Sequence, residues 1–213
     1  MSRRILILTV AISVGACASW GKRETGGAIG AAAGATVGGI IGNNVGSTAR
    51  GALIGAVVGG AAGAIIGHQM DQQAKELVAE IPGATVTRVA EGITVTFASG
   101  LMYDFDSDAI RSDAAVNLRN LAASLRKYPN TQLLIVGHTD DSGSDAYNQA
   151  LSQRRADAAL QYLSAQGISA RRVSASGRGE LEPVASNGTE GGRQVNRRIE
   201  VVIYADAAAR GGL

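Results

Sequence analysis

Gln132-Leu133-Leu134-Ile135-Val136-Gly137-His138-Thr139-Asp140, followed shortly by a run from Asp145 to Gln166 free of Gly and Pro, is the stretch on which the fold turns. The first half is a short apolar segment of the buried-strand type. The second half is long enough for a helix, with Ser144 or Asp145 suited to its N-cap and Gly167 to its stop. Asp140 then falls in a strand-to-helix loop, where functional residues concentrate. Within the helix, Tyr147, Leu151, Ala158 and Tyr162 recur at helical intervals and share one face. Arg155 interrupts that face, and Asn148 lies one turn before Leu151, about 10 Å along the axis from Arg155. A guanidinium on a core-facing stripe is costly unless something pairs with it. Two readings follow. Asp140 and Arg155 form a structural ion pair that ties loop to helix, or they are two ends of a site for a ligand carrying both a positive and a negative group. Spacing alone leaves both open.

Working outward, the chain from Ala84 onward is ordinary in composition. Thr85–Val89 and Ile93–Phe97 alternate around Glu91-Gly92 and read as a hairpin. Leu101–Phe105 reads as a short strand before an Asp- and Ser-rich turn. Leu118, Leu121 and Leu125 make a helix face, with Ser112 at its N-cap and Pro129 beyond its end. Val173–Ser176 and Arg198–Ile203 read as later strands. Strands interleaved with helices predict an α/β (α+β) sandwich, with helices on one face of a mixed sheet.

The N-terminal third differs. Arg3-Arg4, the apolar run Ile5–Val14 and the small residues Gly15-Ala16 before Cys17 have the form of a secretory signal. The run is too short for a spanning helix of roughly 20 residues. Val14-Gly15-Ala16-Cys17 resembles the bacterial lipobox, which implies cleavage before Cys17 and lipid on its thiol. Ala18, where an Asp commonly signals inner-membrane retention, implies the outer membrane by the same resemblance. Gly26, Gly30, Gly34, Gly38, Gly42 and Gly46 recur every four residues, and Gly51, Gly55, Gly59, Gly63 and Gly67 repeat the pattern. Such a stripe lets helix backbones approach closely in lipid. In water each glycine costs about 1 kcal/mol relative to Ala, so an isolated soluble helix is not expected. The segment reads as a closely packed, membrane-associated helical hairpin capable of homo-oligomerisation; a flexible Gly/Ala spacer is the alternative.

Composition excludes several classes. A net charge of +2 is too small for a nucleic-acid protein. With one Cys, no intramolecular disulfide can form, and two His and one Cys far apart give no metal-ligand cluster. The Asp residues at 106, 108, 141 and 145 lack EF-hand spacing. His138 invites a catalytic role, but no Ser/His/Asp or Cys/His arrangement accompanies it.

Tyr103-Asp104-Phe105-Asp106, Gly137-His138-Thr139-Asp140, Asn148, Leu151-Ser152, Arg155-Ala156, Gly177-Arg178-Gly179-Glu180, Pro183 and Asn196-Arg197-Arg198-Ile199-Glu200 stand in an order that resembles the OmpA-like peptidoglycan-binding domain. The match covers most of Ala90 to Ala205. The N-terminal half resembles small outer-membrane lipoproteins that join a glycine zipper to this domain. The resemblance implies binding to the diaminopimelate residue of peptidoglycan stem peptides. Asp140 would accept the ligand ammonium and Arg155 would hold a carboxylate, since a planar guanidinium grips carboxylate bidentately. Asn148 and Thr139 would add hydrogen bonds, and Asp104 and Arg197 match further contact positions. The expected layout is a signal peptide over 1–16, a lipidated N-terminus and linker over 17–25, the glycine hairpin over 26–67, a linker over 68–83, the peptidoglycan-binding domain over 84–206 and a disordered tail over 207–213. The expected role is a non-enzymatic tether between outer membrane and cell wall, with no cofactor and no metal. Its rivals are a peptidoglycan-cleaving enzyme and a zipper oligomer or assembly factor that uses the C-terminal domain only for localisation.

Overall fold

The computed structural model describes residues 64–89 and 92–206. The signal sequence, Cys17, nearly all of the glycine repeat and the tail after Asp206 therefore lie outside the described residues. The elements in chain order are helix α1 (Ala64–Glu80), strands β1 (Ala84–Val89) and β2 (Gly92–Ala98), the one-turn helix α2 (Ser99–Met102), helix α3 (Ser112–Lys127), strand β3 (Thr131–Gly137), helix α4 (Asp145–Ala165), a 3-10 turn (Ala170–Arg172), strand β4 (Val173–Gly177), helix α5 (Glu190–Asn196) and strand β5 (Arg198–Ala205).

The five strands form one sheet in the order β1-β2-β5-β3-β4. Only β3 and β4 run parallel; the other neighbours are antiparallel. The last described strand, β5, is thus the middle one, and all eight of its residues are buried. Side chains alternate across the sheet. Ile93, Val95 and Phe97 of β2, Leu133 and Ile135 of β3, and Ile199, Val201 and Ile203 of β5 point to the face covered by α1, α3 and α4. Leu118, Leu121 and Leu125 of α3 are fully buried there, each worth about 1.5–3 kcal/mol over leaving it exposed. The opposite face carries a smaller buried cluster of Leu134, Val136, Val202 and Tyr204. The mixed sheet with helices on one face is the architecture expected from the sequence.

Four local readings change. The segment 68–83 is not a linker. It belongs to α1 and the turn after it, and Met70, Ala74, Leu77 and Ile81 are buried in the main core. Their spacing is helical, but the polar residues between them mask the stripe. The segment 101–105 is not a strand: α2 takes Ser99–Met102, and only Tyr103 makes an isolated bridge, to Ile110. Helix α3 is capped by the backbone of Arg111, with Ser112 as its first residue. The buried face of α4 centres on Ser152, Ala156, Ala159 and Leu163, while Tyr147 at its start is 41% exposed. Small residues lie inward here because helix and sheet meet backbone to backbone. A Cβ on Gly137 would stand 2.2 Å from the Ser152 carbonyl oxygen, and one on Gly177 would stand 2.4 Å from the Gln153 amide nitrogen. These glycines bring α4 down onto the ends of β3 and β4. The loop holding Asp140 is thereby drawn close to the helix holding Arg155.

Candidate functional site

A cavity of about 500 Å³ opens where the ends of β2, β3 and β5 meet the first turns of α4. Tyr103, Asp104, Thr139, Asp140, Asn148, Arg155 and Arg197 all line it, as do Phe105, Tyr147 and Glu190. The fold therefore gathers every C-terminal candidate named from the sequence around one cavity.

Arg155 is 5% exposed. Its Nε donates to the Ser107 carbonyl at 2.8 Å and its Nη2 reaches the Asp104 carbonyl at 3.4 Å. Its guanidinium carbon lies 5.3 Å from the centre of the Tyr103 ring, in cation–π range. The Tyr103 hydroxyl donates to the Arg155 carbonyl at 2.6 Å, which locks ring and helix together. Burial lowers the guanidinium's pKa from its ordinary value, against the raising effect of Tyr103, Tyr147, Asp106 and Asp108. Among the described residues no carboxylate forms an ion pair with Arg155. The structural Asp140–Arg155 pair is thus not formed.

Asp140 is also 5% exposed, but it is partnered. One carboxylate oxygen accepts the Ser142 amide at 3.0 Å, and the other pairs with Arg197 Nη1. Arg197 extends its second nitrogen to Glu190 at 2.7 Å, and Glu190 is held in turn by Arg193. Arg197 stabilises the charged form of Glu190 first, with Arg193 adding to it, so the Glu190 pKa lies below its ordinary value. The chain Asp140–Arg197–Glu190 runs from the cavity floor to its rim, where Glu190 is 65% exposed.

Asn148 is 1% exposed, and its amide nitrogen is already engaged by the Asp140 carbonyl and the Glu180 carboxylate. Its first task is to hold the loop that presents Asp140. Thr139 is anchored by its backbone amide to the Gly179 carbonyl at 2.9 Å, while its hydroxyl is buried with no partner. Ser99, on the opposite wall, has the same kind of orphaned hydroxyl. Two unpaired buried hydroxyls on residues that line one cavity are a polar cost within the site. Asp104 contributes its carbonyl to Arg155, whereas its carboxylate pairs with Arg111 at the surface.

His138 points away from this chemistry. Its ring is 1% exposed on the opposite sheet face, with neither nitrogen hydrogen-bonded. The Glu200 carboxylate is 3.8 Å away but is spent on Arg198 at 2.6 Å. Burial first, then the charges of Arg198 and Arg178, push the imidazole pKa well below its ordinary value. Among the described residues no cluster of His, Cys, Asp or Glu could hold a metal ion.

Glu190 and Ser99 carry no sequence signal for the site, while Tyr147 reads from the sequence only as part of a helix face and Phe105 only as part of the Tyr103–Asp106 motif. Glu190 sits 50 residues beyond Asp140, at the start of α5 in a Gly-rich stretch with no periodic signal, and only the strand order brings it near. The one legible hint was Thr189 before Glu190, an N-cap signal for α5, whose side chain accepts the Gly192 amide.

Residues 102–197 match the model of the OmpA family, and residues 1–71 match that of the YMGG-like Gly-zipper. The outer membrane porin F of Pseudomonas fluorescens is 47% identical over 105 residues, covering 49% of this chain and 32% of that protein. The peptidoglycan-associated lipoprotein of Brucella melitensis is 34% identical over 121 residues, covering 57% of this chain and 72% of that protein. A solved structure described as the cell wall anchor of the T6SS from Pseudomonas aeruginosa is 30% identical with a TM-score of 0.56, covering 64% of this chain and 97% of that one. The chain spans about a third of the length of the first two curated relatives it matches, 32% and 34%. The chain belongs to the OmpA family.

Proposed function

We propose, from that membership and from the charge pattern of the cavity, that the chain binds peptidoglycan non-covalently through the diaminopimelate residue of the stem peptide. The observation that carries the reading is Arg155, a buried guanidinium with no carboxylate partner among the described residues, lining the same cavity as the buried acid Asp140. A free amino-acid end carries a carboxylate and an ammonium close together. Its carboxylate docks on Arg155, and its ammonium joins Asp140 beside Arg197. Thr139 adds a hydroxyl, Asn148 holds the loop, and the Asp104 carbonyl keeps Arg155 in place. A lysine side chain ends in an ammonium alone and gives Arg155 nothing to hold, which supports a preference for diaminopimelate.

The rest of the proposal concerns residues outside the described part. Cleavage before Cys17 and lipid on its thiol anchor the chain on the periplasmic face of the outer membrane, since more than one acyl chain is needed for stable anchoring. The glycine repeat associates with the membrane and the C-terminal domain grips the wall without cleaving any bond. A relative's name, peptidoglycan-associated lipoprotein, supports this arrangement. In it α1 packs into the core of the wall-binding domain, so little slack separates Gly67 from that domain.

The test is sedimentation of the full-length chain in detergent with purified sacculi of two kinds, carrying diaminopimelate or lysine. The expected result is co-sedimentation that favours diaminopimelate and is lost in Arg155→Ala and Asp140→Ala with the fold intact. No co-sedimentation, or equal binding by wild type and both variants, overturns the proposal.

A further inference from the structure

We infer that Phe105 is an affinity-determining residue of this site, its ring closing over the apolar arm of the bound stem-peptide residue. The inference rests on the peptidoglycan reading and assigns a role to a side chain that the reading does not use.

Phe105 is 100% exposed, yet it lines the same cavity as Asp140 and Arg155. An apolar ring in water has nothing to hold it there, so its position must come from the backbone around it. That backbone is pinned on every side. The Ser107 amide donates to the Asp104 carbonyl at 3.2 Å, closing a turn around Phe105. Arg155 Nε grips the Ser107 carbonyl at 2.8 Å. The Tyr147 hydroxyl donates to the Asp106 carboxylate, and Asp104 pairs with Arg111. Asp106 itself has φ +54°, a left-handed conformation that costs energy for a residue with a Cβ and sets the direction of the turn. The backbone that carries the ring is therefore held at the rim of the cavity, so binding has only the ring's own rotation left to fix.

The ligand's chemistry selects its partner. Diaminopimelate joins two amino-acid centres through three methylenes. With one centre held between Asp140 and Arg155, the methylene arm leads out of the charged floor toward the rim, where Phe105 and Tyr147 stand. Covering that arm removes apolar surface from water on both sides.

The test measures binding of the full-length chain in detergent to two soluble ligands: a free diaminopimelate-containing tetrapeptide, and the same tetrapeptide attached to its disaccharide. Phe105→Ala should weaken both by the same factor, about tenfold, the effect of exposing on the order of 60 Å² of apolar surface. Phe105→Leu should lose less, and thermal melts should match wild type because the ring is packed on nothing. Wild-type binding that is unchanged in Phe105→Ala overturns the inference alone. A loss confined to the disaccharide-linked ligand also overturns it, by moving the ring onto the sugar. Absence of wild-type binding overturns the peptidoglycan reading with it.

Discussion

Arg155 and Asp140 line one cavity with equal exposure, 5% each, and the fold treats them in opposite ways. Asp140 is compensated by Arg197, whose other nitrogen rests on Glu190. Arg155 meets two carbonyl oxygens and a tyrosine ring, but no carboxylate among the described residues. A buried cation without a counter-charge is an expense the free protein carries. A buried acid whose partner can shift its weight to a second acid is an exchangeable pair. Asp140 and Arg155 thus do different work. The Arg155 end is an unfilled demand for an anion, and the Asp140 end is a cation site already occupied by the protein's own arginine.

The largest effect should come from breaking the unfilled end. Arg155→Ala should weaken binding to diaminopimelate peptides by more than about 3 kcal/mol, over a hundredfold, because the ligand carboxylate loses a buried charged partner. Its stability should stay within about 1 kcal/mol of wild type, since the lost group was an uncompensated charge. A titration beside a thermal melt checks both; a large fall in stability would instead make Arg155 a structural residue. Arg155→Lys should recover only part of the affinity, because an ammonium cannot reproduce the planar fork.

Asp140→Asn should come next, at about 2 kcal/mol of binding. The loss is smaller because Arg197 keeps Glu190, so the substitution strands no cation. The same titration measures it, and a loss equal to that of Arg155→Ala would erase the asymmetry between the two ends. Glu190→Gln should have a smaller effect still. Glu190 is 65% exposed, so its removal should cost no more than about 1 kcal/mol of binding. A fall as large as that of Asp140→Asn would mean that Glu190 touches the ligand directly.

The last effect concerns stability against pH and leaves binding untouched. His138 is buried with its pKa well below 6.5, so the folded protein binds fewer protons there than the unfolded chain does. Its contribution to stability is full above about pH 6.5 and is lost as pH falls through the folded value. The slope cannot exceed about 1.4 kcal/mol per pH unit, the limit for one proton. Thermal melts between pH 7 and pH 5 should fall less steeply for His138→Gln than for wild type. Binding at the Arg155 end should show no matching change over that range.

Much of the fold was legible because its signals are local. The β1–β2 pairing follows from alternation on either side of a turn. The Leu118, Leu121 and Leu125 stripe follows from helical spacing, and the start of α4 follows from Ser144, whose side chain accepts the Tyr147 amide. Helix α1 was missed because four buried apolar residues among Gln, Asp, Lys and Glu look like a polar connector until a groove exists to receive them. The inward face of α4 was misplaced by about one residue because Ala and Ser carry no hydrophobic signal. They lie inward only because Gly137 and Gly177 let the backbones meet.

The site divides along the same line. That Asp140 sits in a strand-to-helix loop and Arg155 nearly three turns into the helix is written in the chain, because residue identity and helical period decide it. Which of the two would be paired is not written there. That was decided when β5, the last described strand, entered the sheet between β2 and β3 and carried Arg197 to Asp140. Long-range strand order is a property of the whole packed core, so the counter-charge of one buried group, and the lack of one for the other, emerges only in three dimensions.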